Sequence, residues 1–133
     1  MSNWRRFAIV SDIHGDQQDP RAVSAFHSFC GDYKPQISVL AGDLWDFRPL
    51  RKKAEPHERE QSMRDDMGAG LEFLHQFKPQ VFTLGNHDVR LWRLASESHG
   101  VIADFAKDAV SRLEKTFQDA KCTILPYDKR KGV

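Results

Sequence analysis

With 133 residues, the chain has room for one domain and little room for two. A composition of 40% hydrophobic and 29% charged residues excludes a disordered chain. The balance of 20 basic against 19 acidic residues, a net charge of +1, excludes strong overall attraction to nucleic acid or an acidic membrane, while leaving a local patch open. No apolar stretch approaches the roughly 18 residues of a membrane span, and the run near the N-terminus is too short for a signal peptide. Cys30 and Cys122 form no CxxC or metal-type pair, which points to reduced thiols. The expectation is a soluble, cytoplasmic, single-domain protein.

The apolar run over residues 7–10 is continuous rather than alternating, as in a strand buried on both faces, and it stops at the polar loop SDIHGDQQ. Asp19-Pro20 reads as an N-cap followed by proline in the first turn. Ala22, Phe26 and Phe29 or Cys30 follow at helical spacing, and Gly31 is expected to end that helix. Residues 37–40 form a second apolar run, cut off by AGDLWDF. Residues 48–60, charged and carrying two prolines, read as an exposed loop leading into a helix whose apolar face is Met63, Met67, Leu71 and Leu74. Gly68 and Gly70 should weaken that helix by roughly 1 kcal/mol each relative to alanine.

A third apolar run over residues 81–84 ends in the turn GNHD. His99-Gly100 reads as a turn between helices, and Ile102, Phe105, Ala109, Leu113 and Phe117 then mark the clearest amphipathic helix, with Asp108 and Arg112 paired on its wet side. Residues 123–125 read as a fourth strand. Phe26, Phe105 and Phe117 are expected in the core. The resulting β-α-β-α-β-α-β pattern predicts an α/β fold with a mostly parallel sheet, right-handed crossovers and flanking helices.

In an open α/β sheet, ligands gather at the carboxyl ends of the strands. The first three strands all end in metal-ligand or proton-transfer groups: Asp12 and His14, then Asp43, then Asn86, His87 and Asp88. These oxygen and nitrogen donors suit Mn, Fe, Zn or Mg rather than a soft thiolate site. Gly42 and Gly85 let the backbone turn sharply beside them.

D-x-H-G at residues 12–15, G-D at 42–43 and G-N-H-D at 85–88, in that order and each closing a strand, resemble the calcineurin-like metallophosphoesterases. The resemblance implies a phosphoester hydrolase using two divalent ions and a hydroxide held between them. Asp12 and His14 would bind one ion, Asn86 the other, and Asp43 would bridge both. Two ions about 3.5–4 Å apart can clamp the attacking and leaving oxygens of an in-line displacement. His87 would protonate the leaving oxygen or steady the transition state, and Asp46 would orient it. Arg48, in the basic cluster with Arg51, Lys52 and Lys53, is a candidate for a substrate phosphate. The family's protein phosphatases place an arginine directly after the acid matched by Asp46, whereas Phe47 intervenes here.

The family pattern also includes a further histidine and a G-H-x-H motif from later strands, which this sequence lacks. Residues 1–133 are therefore expected to form a single, truncated or split phosphoesterase domain, the first half of an αββα sandwich, with residues 127–133 leading towards the second. His27 and His75 fall within expected helices, His57 in a charged loop and His99 at a turn, so none is a favoured replacement ligand. Trp45 could stack on a base or cover the ions, and Asp16 and Asp88 read as supporting acids in turns. Phosphomonoesters, phosphodiesters and nucleic acid all stay open as substrates. The rival reading is a non-catalytic half-domain that binds a complementary chain through an uncovered sheet.

Overall fold

The computed structural model describes residues 3–128. Four parallel strands, β1 (Phe7–Val10), β2 (Ile37–Leu40), β3 (Val81–Thr83) and β4 (Thr123–Leu125), lie side by side in chain order. All four coincide, within a residue, with the apolar runs of the sequence. Five α-helices connect them among the described residues: α1 (Pro20–Tyr33), α2 (Pro56–Arg59), α3 (Met63–Phe77), α4 (Val89–Glu97) and α5 (Gly100–Asp119). Because every crossover steps one strand in the same direction, right-handed connections place the long helices on one face of the sheet.

Burial follows from that arrangement. Ala8, Ser38, Leu40 and Phe82 point under the helices and are buried. The alternate residues Phe7 and Ile9 are 59% and 54% exposed. Ile37, Val39 and Val81 stand beside them in register and are only partly covered. The sheet is thus a single layer with an apolar outer face.

Local signals explain the helix starts. The Asp19 side chain accepts from the Arg21 and Ala22 amides at 2.8 and 3.3 Å, capping α1. The Ser62 hydroxyl accepts from the Arg64 amide at 3.1 Å, capping α3. Asp108 and Arg112 pair at 2.9 Å across one turn of α5.

Several expectations need correction. Helix α1 continues past Gly31 to Tyr33 and closes on Lys34 in the left-handed conformation, directly before Pro35, which cannot extend a helix. Phe29 is exposed, so Cys30 rather than Phe29 faces the core. The segment read as a loop over 48–60 contains a 3-10 turn, Arg48–Leu50, and the short α2. Two helices rather than one join β3 to β4, meeting at the His99–Gly100 turn.

Ile102 and Phe105 are 60% and 72% exposed. The buried stripe of α5 is Ala103, Ala106, Leu113 and Phe117, where small residues let α5 lie close against α4. Trp45 is not a lid or a stacking platform. It is fully buried, with its ring 5.5 to 6.5 Å from those of Phe47, Phe82, Phe117 and Trp92. Gly70 is the reason it fits, because a Cβ there would overlap the indole. Most of the segment read over 127–133 lies outside the described residues.

Candidate active site

The turns after the first three strands are locked together by backbone bonds that continue beyond the sheet. The Ala41 amide donates to the Val10 carbonyl at 2.7 Å, Asp12 to Gly42 at 3.1 Å, His14 to Asp43 at 3.0 Å and Gly15 to Leu44 at 2.8 Å. The His87 amide donates to Asp43 Oδ1 at 2.9 Å, which ties the third turn to the second. Asp12, His14 and Asp43 all hold left-handed backbone conformations, at φ 58°, 55° and 53°. Such conformations cost non-glycine residues of order 1 kcal/mol each and cluster where a site demands a particular side-chain direction.

Donor atoms of Asp12, His14 and Asp43 lie within 4.8 Å of one another. His14 Nδ1 is 3.2 Å from Asp46 Oδ1, so the carboxylate accepts and Nδ1 carries the hydrogen. Nε2 then presents a lone pair towards Asp12 Oδ1, 3.5 Å away. That separation is longer than an N–H···O bond, and in the neutral ring with its hydrogen on Nδ1 it sets one acceptor against another. A cation between them resolves the conflict, and the imidazole–carboxylate pair behind it is the usual way a ligating histidine is oriented. The donor set therefore fits one divalent ion of the oxygen- and nitrogen-preferring kind. Asn86, the expected donor to a second ion, is exposed at the rim of a neighbouring cleft.

Asp46 joins the two histidines. His87 Nδ1 donates to Asp46 Oδ1 at 2.6 Å, and the His14 and His87 rings meet edge to face at 4.8 Å. Arg48 Nη1 reaches Asp46 Oδ2 at 3.2 Å. Burial alone would raise the Asp46 carboxyl, but the bonds from His87, Arg48 and His14 outweigh it and hold the group below its ordinary value. Arg48 also grips both Asp16 oxygens at 2.9 and 3.0 Å and Gln61 at 2.8 Å, so Nε, Nη1 and Nη2 each have a protein acceptor. Arg90 donates to the Asp46 carbonyl at 2.7 Å.

Two buried carboxylates hold the turns in shape. Asp88 accepts from the amides of Asp43, Gly85 and Trp45 at 2.7, 2.8 and 2.9 Å, stitching the second turn to the third. Burial pushes its carboxyl up to about 7 and the Asp43 charge adds to this, against the three amides, which favour the ionised form. Asp66, which sequence reasoning missed, accepts from the amides of Asp46 and Phe47 at 3.1 and 2.6 Å. An acid in the first turn of a helix reads as a partner for the helix dipole. The available signal was its position between Met63 and Met67 and four residues before the buried Gly70, on the inward stripe of α3.

Among the described residues, the His/Asp clusters capable of holding an ion are Asp12–His14–Asp43 and His14–Asp46–His87. His57, His75 and His99 are exposed, and His27 is half-buried between α1 and α3, where burial lowers its pKa. No described helix is long and apolar enough to cross a membrane.

No curated protein and no solved structure matches the chain. A family model for calcineurin-like phosphoesterases matches residues 5–127, which takes in all four strands, the three turns and both histidine–carboxylate pairs. The chain belongs to the calcineurin-like phosphoesterase family.

Proposed function

We propose that the chain is a metal-dependent phosphoesterase whose hydrolytic centre is built on Asp12, His14, Asp43, Asn86 and His87. The observation that carries this reading is the pair of acceptors His14 Nε2 and Asp12 Oδ1, 3.5 Å apart, beside Asp43. Divalent ions bound here would supply Lewis acidity towards the phosphoryl oxygens and an attacking water of lowered pKa. Asp12, His14 and Asp43 would hold one ion, and a second, served by Asn86 with Asp43 shared, would need a further donor.

The chain's own residues then divide the remaining work. His87, anchored through Nδ1 on Asp46, leaves Nε2 to face the leaving oxygen. From the doubly protonated ring the Nε2 hydrogen would pass to that oxygen as the P–O bond breaks, leaving the neutral Nδ1–H tautomer on Asp46. Asp46 favours that tautomer and fixes the ring plane, and it does the same for His14. Arg48 acts less directly, offsetting the charge of Asp16 and Asp46 beside the developing phosphate charge.

The test is hydrolysis of bis-p-nitrophenyl phosphate and p-nitrophenyl phosphate with manganese, against the His87→Ala and Asp43→Asn variants. Turnover that needs metal and falls at least about a hundredfold in both variants supports the reading. Metal-independent turnover, or none with either substrate once the open sheet face is covered, overturns it.

The exposed Phe7 and Ile9 favour a second reading, a half-domain that docks that face on a complementary chain carrying another sheet layer. A complex formed with no metal-dependent turnover would favour it over the enzyme.

A further inference from the structure

The family site leaves unexplained a cleft of about 730 Å³ that opens beside Asn86. Its walls come mainly from two parts of the chain, the Arg48–Leu50 turn with the two residues after it and helix α4 with the residue that follows it. Asn86 of the turn after β3 completes them. Four cations line it, Arg51 and Lys52 from the first and Arg90 and Arg93 from the second, against one acid, Glu97. In a chain with a net charge of only +1, this is a strong local concentration of positive charge.

The four cations are not equally free. Arg51 is paired with Glu58 on α2. Arg90 donates to the Asp46 carbonyl, a neutral acceptor, and so keeps its charge. Lys52 and Arg93 are exposed, and among the described residues neither has a carboxylate partner. Arg48, by contrast, is fully committed to Asp16, Asp46 and Gln61.

We propose that this cleft binds a second phosphate of the substrate, so that the substrate class is a small phosphoester carrying two or more phosphate groups. The proposal rests on the phosphoesterase reading. Asn86 lines the cleft and is the chain neighbour of His87, which places the cleft beside the turn that carries the candidate site. A phosphate group reaching past Asn86 would meet Lys52 and Arg93. The volume fits a nucleotide-sized molecule, within the roughly 300–1,000 Å³ of small-ligand sites. Arg93 offers a planar fork for two phosphate oxygens, and Lys52 a mobile point charge opposite it.

The experiment is calorimetric titration of the metal-stripped chain with tripolyphosphate, orthophosphate and a single-stranded 12-mer oligonucleotide. We expect tripolyphosphate to bind at least about tenfold more tightly than orthophosphate, and to lose at least about tenfold in Lys52→Ala/Arg93→Ala. A Lys115→Ala/Lys121→Ala control, with the same charge change at residues outside the cleft, should bind as the parent does. Both altered side chains of the cleft variant are exposed, and circular dichroism confirms that its fold is kept. Equal binding of the two inorganic anions, undiminished binding in the cleft variant, or oligonucleotide binding that tripolyphosphate does not displace would overturn the proposal. Because binding is read without metal or turnover, its failure is separate from a failure of hydrolysis.

Discussion

Gly15 lies so close to Asp66 that a Cβ at residue 15 would overlap the Asp66 carboxylate. The glycine of the D-x-H-G turn thus gives an acid on α3 access to the amides of Asp46 and Phe47. Gly15→Ala adds a left-handed conformation at φ 51° to that overlap. We expect a loss of about 3 kcal/mol, from backbone strain and disturbed buried hydrogen bonds. Asp66→Ala should cost a similar amount by leaving two amides without their acceptor. Urea unfolding of both variants measures this, and losses under about 1 kcal/mol would contradict the role given to Asp66.

Asp46 is the hinge of the candidate chemistry, since both histidines and Arg48 converge on its carboxylate. Asp46→Asn keeps the shape but removes the charge and turns one acceptor into a donor. Loss of such an orienting partner commonly costs 10–100-fold in metal affinity or activity. The same range is expected here for manganese affinity, read by calorimetry, with far-UV dichroism unchanged. An unaltered affinity would detach Asp46 from the site.

Much of this was legible in the sequence, and for a physical reason. Continuous apolar runs set the segments around Ile9, Val39 and Phe82 apart as strands, and the polar residues that end the runs had to share one sheet edge. Helices cover only one face of the sheet, however, and the burial on both faces that such runs predict is not met at Phe7 and Ile9. What the sequence hid were choices between equivalent patterns. Ile102 and Phe105 satisfy helical spacing as well as Ala103 and Ala106 do, and only the packing of α5 on α4 decides that the alanines face inward. Asp66 and Trp45 show the same limit. An acid in a first turn and an aromatic beside a motif each have a commoner surface explanation, and burial reverses both.

The donor set gathers around one position rather than two, and this bears on stoichiometry. Asp12, His14 and Asp43 form one cluster, and the second cluster reuses His14. We expect manganese or zinc to bind the chain weakly, at one ion per molecule, with Asp43→Asn abolishing it. At a hundred times the dissociation constant the ion should add about 2.7 kcal/mol of stability, seen as a rise in melting temperature that a chelator reverses. Tight binding of two ions would show that a further donor completes the site.

The outer sheet face makes a prediction about association. Phe7 and Ile9 lie on β1, at the edge of the sheet, with their side chains more than half exposed. An exposed apolar edge strand is a template for self-pairing. Ile9→Lys should therefore reduce self-association in sedimentation velocity while changing stability by less than about 0.5 kcal/mol, as expected of a surface position. A stability loss of several kcal/mol, with association unchanged, would mean that Ile9 is covered in solution by something other than a second copy.

Cys122 supplies a pH dependence that is independent of the site. The thiol is buried under α5 and free, and burial pushes it from its ordinary 9.0 up to about 12. Between those values the native chain holds a proton that the unfolded chain has released. Stability must therefore fall as the pH rises through that window, while below 9 the contribution is complete and constant. The loss is on the order of a few kcal/mol over the full window. Cys122→Ala removes this slope, at a cost of about 1 kcal/mol at neutral pH for the vacated volume. Urea unfolding at pH 8, 9.5 and 10.5 should show the parent losing stability faster than the variant, since every other titrating group is common to both. Iodoacetamide at pH 8 should leave Cys122 unmodified in the native chain, because its thiolate fraction there is about one in ten thousand. Parallel stability slopes, or rapid native-state alkylation of Cys122, would mean that the α5–β4 junction opens far more readily than its packing implies.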